Sequence, residues 1–258
     1  QAAIRMGHES MIERLGRYWR HAQPDLVVSL IPNFNRALCE SVMAALPGVP
    51  FVTVMTDLAD HPPRFWIEAG LPQHIVCGST RAVEQAFAAG CAPERVHRTS
   101  GMMIRPDFYA PIEFDRAAEC RQMGLDPERP TGVVMFGGQG SMDMLTIARQ
   151  LPDIQLVLLC GHHDELAARL RSIETAAAHL VVGFTQQVRR YMLAGDFFIG
   201  KPGPGSLSEA LHCGLPVVTV RNAWTMPQER YNTDWVQQFG VGLVGRSWRS
   251  IRPVVIET

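Results

Sequence analysis

The chain has 258 residues, a formal net charge of −1, 47% hydrophobic residues and 19% charged ones. That length allows two cores of ordinary size, and the apolar share excludes a disordered chain. The near-neutral charge supplies no electrostatic reason to expect a nucleic-acid partner, and no apolar run approaches the roughly 20 residues needed to cross a bilayer.

In chain order, Ile4 to His21 reads as a helix, with Ile4, Met11, Ile12, Leu15, Tyr18 and Trp19 on one face. The chain opens inside this pattern without an initiator Met, so a preceding segment is expected. Leu26 to Ile31 reads as a strand, Asn35 to Leu46 as a helix, and Phe51 to Asp57 as a strand ending in the polar tip Thr56-Asp57. A short strand, His74 to Cys77, precedes a helix, Thr80 to Ala89, stopped by Gly90. Val96 to Ser100 suggests another strand. Arg105 to Pro130 is charged and proline-bearing, with one helix expected over Asp115 to Met123. These signals predict a first domain over 1–112, a linker over 113–130 and a second domain over 131–258.

The second half repeats the rhythm. Strand Gly132 to Phe136 meets the turn Gly137-Gly138-Gln139-Gly140-Ser141 and a helix to Gln150. Then come strand Ile154 to Cys160, helix Asp164 to Ala178, strand Leu180 to Val182 and helix Gln187 to Ala194. Phe197, Phe198 and Ile199 lead into a Gly/Pro-rich turn, Lys201 to Gly205, then a helix opening at Ser206 and a strand from Pro216 to Val220. Repeated βα units with short connections predict parallel sheets covered by helices on both faces, with ligands beyond the strand C-termini.

The 201–205 turn is the most informative segment. A strand, glycine turn and helix leave backbone N–H groups free at a helix N-terminus, where anions are favoured. Neither GxxxxGK[ST] nor GxGxxG occurs in this segment, so it is neither the P-loop nor the usual dinucleotide fingerprint, and a diphosphate is the expected guest. Gly203, Pro204, Gly205 and Ser206 would meet it, against the alternative of a plain strand–helix turn. Lys201 is the only lysine; it adds charge there or is simply solvated. Ser206 and Glu209 also match the capping box S-x-x-E, which needs no ligand. Asp57 is a helix cap or a general base, and His61 is its polar neighbour. The six cysteines lack CxxC spacing and read as reduced core residues of a cytosolic protein. His162-His163 lack zinc spacing, so no metal is expected. The cluster Phe65, Trp66 and Ile67 is either loop packing or a lipid-facing lip. The first helix, with Arg5, Arg14, Arg17 and Arg20, is core-facing or lies on an anionic membrane.

KPGPGSLSEALHCGLPVV followed by PQERYN resembles the donor-binding segment of glycosyltransferase family 28, and within it the monogalactosyldiacylglycerol synthases and processive diacylglycerol glucosyltransferases. FVTVMTDLADHPPRFW, CGSTRAVEQAFAAG and SGMMIRPDFY resemble the acceptor half in the same order, and FGGQGSM, LLCG and VVGFTQQVRRYMLAGD complete the likeness. The resemblance implies a GT-B fold: an α/β chain of two Rossmann-like parallel-sheet domains facing across a cleft, the first incomplete here. It implies inverting, metal-independent transfer of galactose or glucose from a UDP-sugar, with no cofactor, to a diacylglycerol-type lipid. The enzyme would sit peripherally on the inner face of the cytoplasmic membrane. By the same resemblance Glu209 holds the ribose hydroxyls, Gln228, Glu229 and Asn232 lie at the hexose, and Gly138, Gln139 and Gly140 lie near the phosphates. Phe184 and Thr185 lie beside the uracil, against the alternative of a core Phe with an N-capping Thr.

Three departures shape the expectation. The family's N-terminal glycine loop with its His has no match here, a C-terminal helix returning to the first domain is absent, and the acceptor loop lacks a cysteine before His61. A truncated, inactive nucleotide-sugar-binding paralogue and a transferase for a polyprenyl-linked cell-wall acceptor are therefore the alternatives.

Overall fold

The computed structural model describes residues 7–258. Two compact units emerge, residues 1–103 and 104–258.

The first unit holds a four-stranded parallel sheet in sequential order: β1 (Val27–Ser29), β2 (Phe51–Val54), β3 (His74–Cys77) and β4 (Val96–Arg98). Its helices are α1 (His8–Ala22), α2 (Asn35–Ala45) and α3 (Thr80–Ala88). The expected helix from Ile4 begins at His8 among the described residues; Ile4 and Arg5 lie outside them. Strands added in sequence by right-handed crossovers place every connection on one side of a sheet. Accordingly Val27 and Phe51 pack with Cys39 and Val42 of α2, and Ile75 and Cys77 pack with Ala82 and Ala86 of α3. On the other face Val28 is half-exposed, and Val52, Val54 and Val76 are only partly buried. Among the described residues no helix covers that face of this sheet. α1 joins the same side by packing on α2. There Gly16 lies close to Ala45, and the indole of Trp19 donates to Ser41 Oγ at 2.8 Å.

The loop after β2 is built around Asp60. Its carboxylate accepts the backbone N–H groups of Arg64 (2.9 Å), Phe65 (2.8 Å) and Trp66 (2.6 Å), and Trp66 and Ile67 are buried beneath it. A carboxylate accepting from three backbone donors, that of Trp66 buried, contributes strongly. Asp60→Ala is therefore expected to destabilise the first unit by about 3 kcal/mol, and Asp60→Asn by less. The urea midpoint at unchanged slope measures this, and a midpoint equal to the parent's would refute it. Burial of Trp66 and Ile67 decides for loop packing over the lipid-facing lip.

The second unit is a six-stranded parallel sheet in the order β10-β9-β8-β5-β6-β7. These strands are β5 (Thr131–Met135), β6 (Gln155–Leu159), β7 (His179–Val182), β8 (Phe197–Ile199), β9 (Val217–Val220) and β10 (Gly242–Gly245). The order reverses between β5 and β8, the doubly wound arrangement whose switch point receives ligands. Both faces are covered, as expected. Val134, Leu156, Leu158 and Ile199 pack against α5 (Asp143–Gln150), α6 (Asp164–Arg171) and α10 (Arg252–Ile256). Val133, Val157, Phe198 and Val217 pack against α4 (Arg116–Gln122), α7 (Val188–Ala194), α8 (Pro204–His212) and α9 (Pro227–Gln238).

Several elements differ from the sequence reading. Residues 104–130 pack in the second unit and are no free linker. Phe108 and Cys120 are fully buried in its core, and the Arg190 guanidinium donates to Glu119 at 2.6 Å. α6 ends at Arg171 instead of Ala178, because Ala176 and Ala177 give their N–H groups to Pro152 O at 2.8 and 2.9 Å. α8 opens at Pro204, not Ser206, with Gly203 at the N-cap; proline suits the first helical position, whose N–H has no intrahelical partner. β10 and α10 had no forecast.

Candidate functional site

The loops after β5 and β8 meet at the switch point and frame a cavity of about 330 Å³, lined by Gly137, Gly138, Phe184, Thr185, Gly205, Ser206, Glu209 and Arg105. One wall is the first turn of α8. Pro204 has no N–H, and those of Gly205 and Ser206 fall in the turn that lacks intrahelical acceptors. The turn presents the positive end of the helix to the cavity. Ser206 stands inside the helix, and α8 has no side-chain cap, so the capping-box reading of Ser206 and Glu209 does not hold.

Glu209 is left for another purpose. It faces Arg105, whose Nε lies 3.7 Å from Glu209 Oε1. Burial raises the Glu209 pKa above the ordinary carboxylate range; Arg105 opposes that shift and Asp107 adds to it. Arg105 lies over the Phe108 ring and donates to Gln186 O at 3.3 Å. Its Nη2 is within ion-pair distance of Asp107, yet it is buried and makes no hydrogen bond. An unfulfilled guanidinium N–H beside a helix N-terminus is an anion donor. Arg105 lies in the SGMMIRPDFY segment, where no local spacing marks it for a role. Only the packing of residues 104–108 against α8 brings it to the cavity, where His212 of α8 meets Phe108 O at 2.9 Å.

The opposite wall is aromatic. Phe184 is 58% exposed and stacks on His162, centroids 4.0 Å apart and planes 17° from parallel. It is therefore not a core residue. Thr185 Oγ accepts from Gln187 N at 3.0 Å, one residue before α7. His163 Nδ1 accepts from Leu166 N at 3.2 Å and caps α6. Among the described residues no cluster of three His, Cys, Asp or Glu is arranged to hold a metal ion.

A second, larger cavity of about 850 Å³ adjoins on the β9 side, and Gln139, Gly140, Lys201 and Glu229 line it. Lys201 is not simply solvated: its Nζ lies 3.2 Å from Glu229 Oε1, and Glu229 is 6% exposed. Gln228 is half-buried. Asn232 is fully buried, and its Nδ2 donates to Pro202 O at 2.7 Å, which anchors the 201–203 loop to α9. Asn232 thus positions the loop from beneath, while its buried Oδ1 makes no hydrogen bond.

In the first unit Asp57 is buried and accepts from the indole of Trp66 at 2.8 Å; it caps no helix. His61 is half-buried and joined to Pro62 by a cis peptide. All six cysteines are free thiols, and burial pushes Cys77 up to about 12 and Cys39, Cys160 and Cys213 to about 11.

Two Rossmann-like parallel-sheet units in one chain constitute the GT-B architecture, and solved structures agree. Acinetobacter baumannii MurG superposes with a TM-score of 0.65 at 13% identity over 95% of this chain and 68% of its own. Staphylococcus aureus MnaA, solved with UDP, does so at 0.65 and 13% over 98% and 72%. Anabaena HepE in complex with UDP-glucose does so at 0.55 and 15% over 95% and 71%. No family model matches the chain. By sequence it is similar to monogalactosyldiacylglycerol synthase 1 of Arabidopsis thaliana, 28% identical over 91% of this chain and 45% of the relative. A probable monogalactosyldiacylglycerol synthase 3 of Oryza sativa subsp. japonica is 31% identical over 90% and 47%. The resemblance read from the motifs is thereby borne out. The chain spans about half the length of the curated relatives it matches.

Proposed function

We propose that this chain is part of an inverting glycosyltransferase that moves galactose or glucose from a UDP-sugar to a diacylglycerol-type lipid. It would act at the inner face of the cytoplasmic membrane. The observation that carries the reading is the smaller cavity, where a carboxylate, an aromatic platform and a helix N-terminus converge. Glu209 accepts the two ribose hydroxyls, the uracil lies by Phe184 and Thr185, and the diphosphate meets Gly205, Ser206 and Arg105. As the glycosidic bond breaks, negative charge grows on the departing UDP. Preorganised N–H donors stabilise that charge best, since they need no reorientation. The reading uses no metal ion. Gln139, Gln228 and Glu229 border the place of the hexose, and Lys201 holds the Glu229 carboxylate in orientation. Inversion needs the acceptor hydroxyl to attack opposite the diphosphate. Of the two candidate catalytic groups we assign proton removal to His61, because Asp57 is buried and engaged by Trp66.

The test is transfer of radiolabelled hexose from UDP-galactose and UDP-glucose to diacylglycerol in mixed micelles. Labelled glycolipid is expected from one of the donors, at least tenfold less with His61→Ala, in line with loss of a general base. Absence of product despite UDP binding would favour the second reading, a sugar-nucleotide-binding module without catalysis. The engagement of Asp57 by Trp66 is the observation behind that alternative.

A further inference from the structure

The larger cavity has a rim that nucleotide binding leaves unexplained. Between β9 and α9 the chain forms a tight loop: Asn222 N donates to Thr225 Oγ at 3.0 Å, and Trp224 N donates to Asn222 Oδ1 at 2.9 Å. This loop holds Trp224 outward at 93% exposure, the most exposed large apolar side chain among the described residues, with Met226 42% exposed beside it. Ala223 and Pro227 are exposed as well. Just past β10, Arg246 and Arg249 are exposed, Arg249 on the cavity wall, and neither has an ion-pair partner among the described residues. The carboxylates on the cavity wall are Glu229, paired with Lys201, and Asp143, and Asp234 lies on α9. Asp234 is paired with Arg221, and Asp143 accepts from the Ser141 hydroxyl at 3.2 Å. An exposed indole with a thioether and two unneutralised guanidinium groups is the chemistry of a bilayer interface. Trp settles at headgroup depth, and each cation adds attraction to anionic lipid.

We propose that the Trp224 loop, with Arg246 and Arg249, is the surface by which the second unit docks on an anionic bilayer. The inference rests on the lipid-acceptor reading above and gives it a place: the cavity that borders the hexose opens onto the membrane carrying the acceptor. Charge complementarity selects a bilayer over a neutral apolar partner, because a neutral partner would leave both guanidinium groups desolvated and unpaired.

Flotation with large unilamellar vesicles tests this, using phosphatidylcholine alone and with roughly 30 mol% anionic phosphatidylglycerol added. The parent chain is expected to float with the anionic vesicles and to be released by salt. Trp224→Ala and the double variant R246E/R249E should each partition about tenfold less. UDP titration of the same samples should give the parent affinity for all three proteins, since none of these residues lines the nucleotide cavity. Loss of UDP binding by the parent would instead strike the transferase reading. The inference is overturned if the parent does not float, or if both variants float like the parent. It is equally overturned if R14E/R17E on α1 abolishes flotation while Trp224→Ala leaves it intact. Intact flotation of Trp224→Ala with weakened turnover of a short-chain monomeric acceptor would make the rim an acceptor pocket, and would also overturn it.

Discussion

Glu209→Ala is expected to weaken UDP binding by tenfold or more, roughly 1.4 kcal/mol or above, in a calorimetric titration beside the parent. The carboxylate is about one and a half turns into α8, faces the cavity, and has no helix-capping duty that the substitution would remove. Binding also acquires a pH dependence whose sign follows from burial. The pKa of Glu209 is raised, so a proton competes with the ribose hydroxyls for the same oxygens at a higher pH than for an exposed glutamate. Affinity should be full above the raised value and decline as pH falls through it, and Glu209→Gln should lose that step. Linkage runs the other way for the unliganded chain. A folded-state pKa above the unfolded one contributes stability that is present below the ordinary glutamate range and lost as pH rises through the raised value. UDP affinity of Glu209→Ala equal to the parent's would remove the ribose assignment.

Gly161→Ala should be the most damaging single methyl group near the site. Gly161 follows β6 at φ +60°, and a Cβ there would stand 2.1 Å from Gly138 O and 2.5 Å from Gly138 C. His162 N donates to the same carbonyl at 2.9 Å, so this backbone contact seats the 137–140 turn. Left-handed backbone strain contributes about 1–3 kcal/mol, and relieving the clash must shift the turn. A lower melting temperature together with at least tenfold weaker UDP binding is therefore expected. Gly183→Ala is the control, because a Cβ there meets nothing within 4 Å. A Gly161→Ala protein that melts and binds like the parent would show that the turn is held by something else.

Much of the second unit could be read directly. β8 (Phe197–Ile199) is wholly apolar and buried, as a central parallel strand must be, and its glycine turn announced a helix N-terminus. β10 gives little strand signal, because its four residues, GLVG, include two glycines. Gly242 is glycine because a Cβ would fall 2.0 Å from Val217 O, a constraint set by β9, some 25 residues earlier in the chain. The charges of the 113–130 stretch suggest solvent and hence a linker. Arg116 and Glu119 in fact find Asp196 and Arg190 of the second unit.

What the sequence determined by itself was the order of βα units, the glycine turn at 201–205 that leads into a helix N-terminus, and the glutamate that follows it. Those depend on local spacing: strand, glycine turn and helix lie within one short segment, and their chemistry is carried by adjacent residues. Tertiary structure alone decided which distant groups share the cavity. It brought Arg105 to Glu209, set Phe184 on His162, and turned Asn232 and Asp57 inward to hydrogen bonds that spacing does not reveal. It also left Trp224 in water. Local periodicity says which face of an element is apolar, whereas the partner that covers it, or fails to, depends on residues far away along the chain.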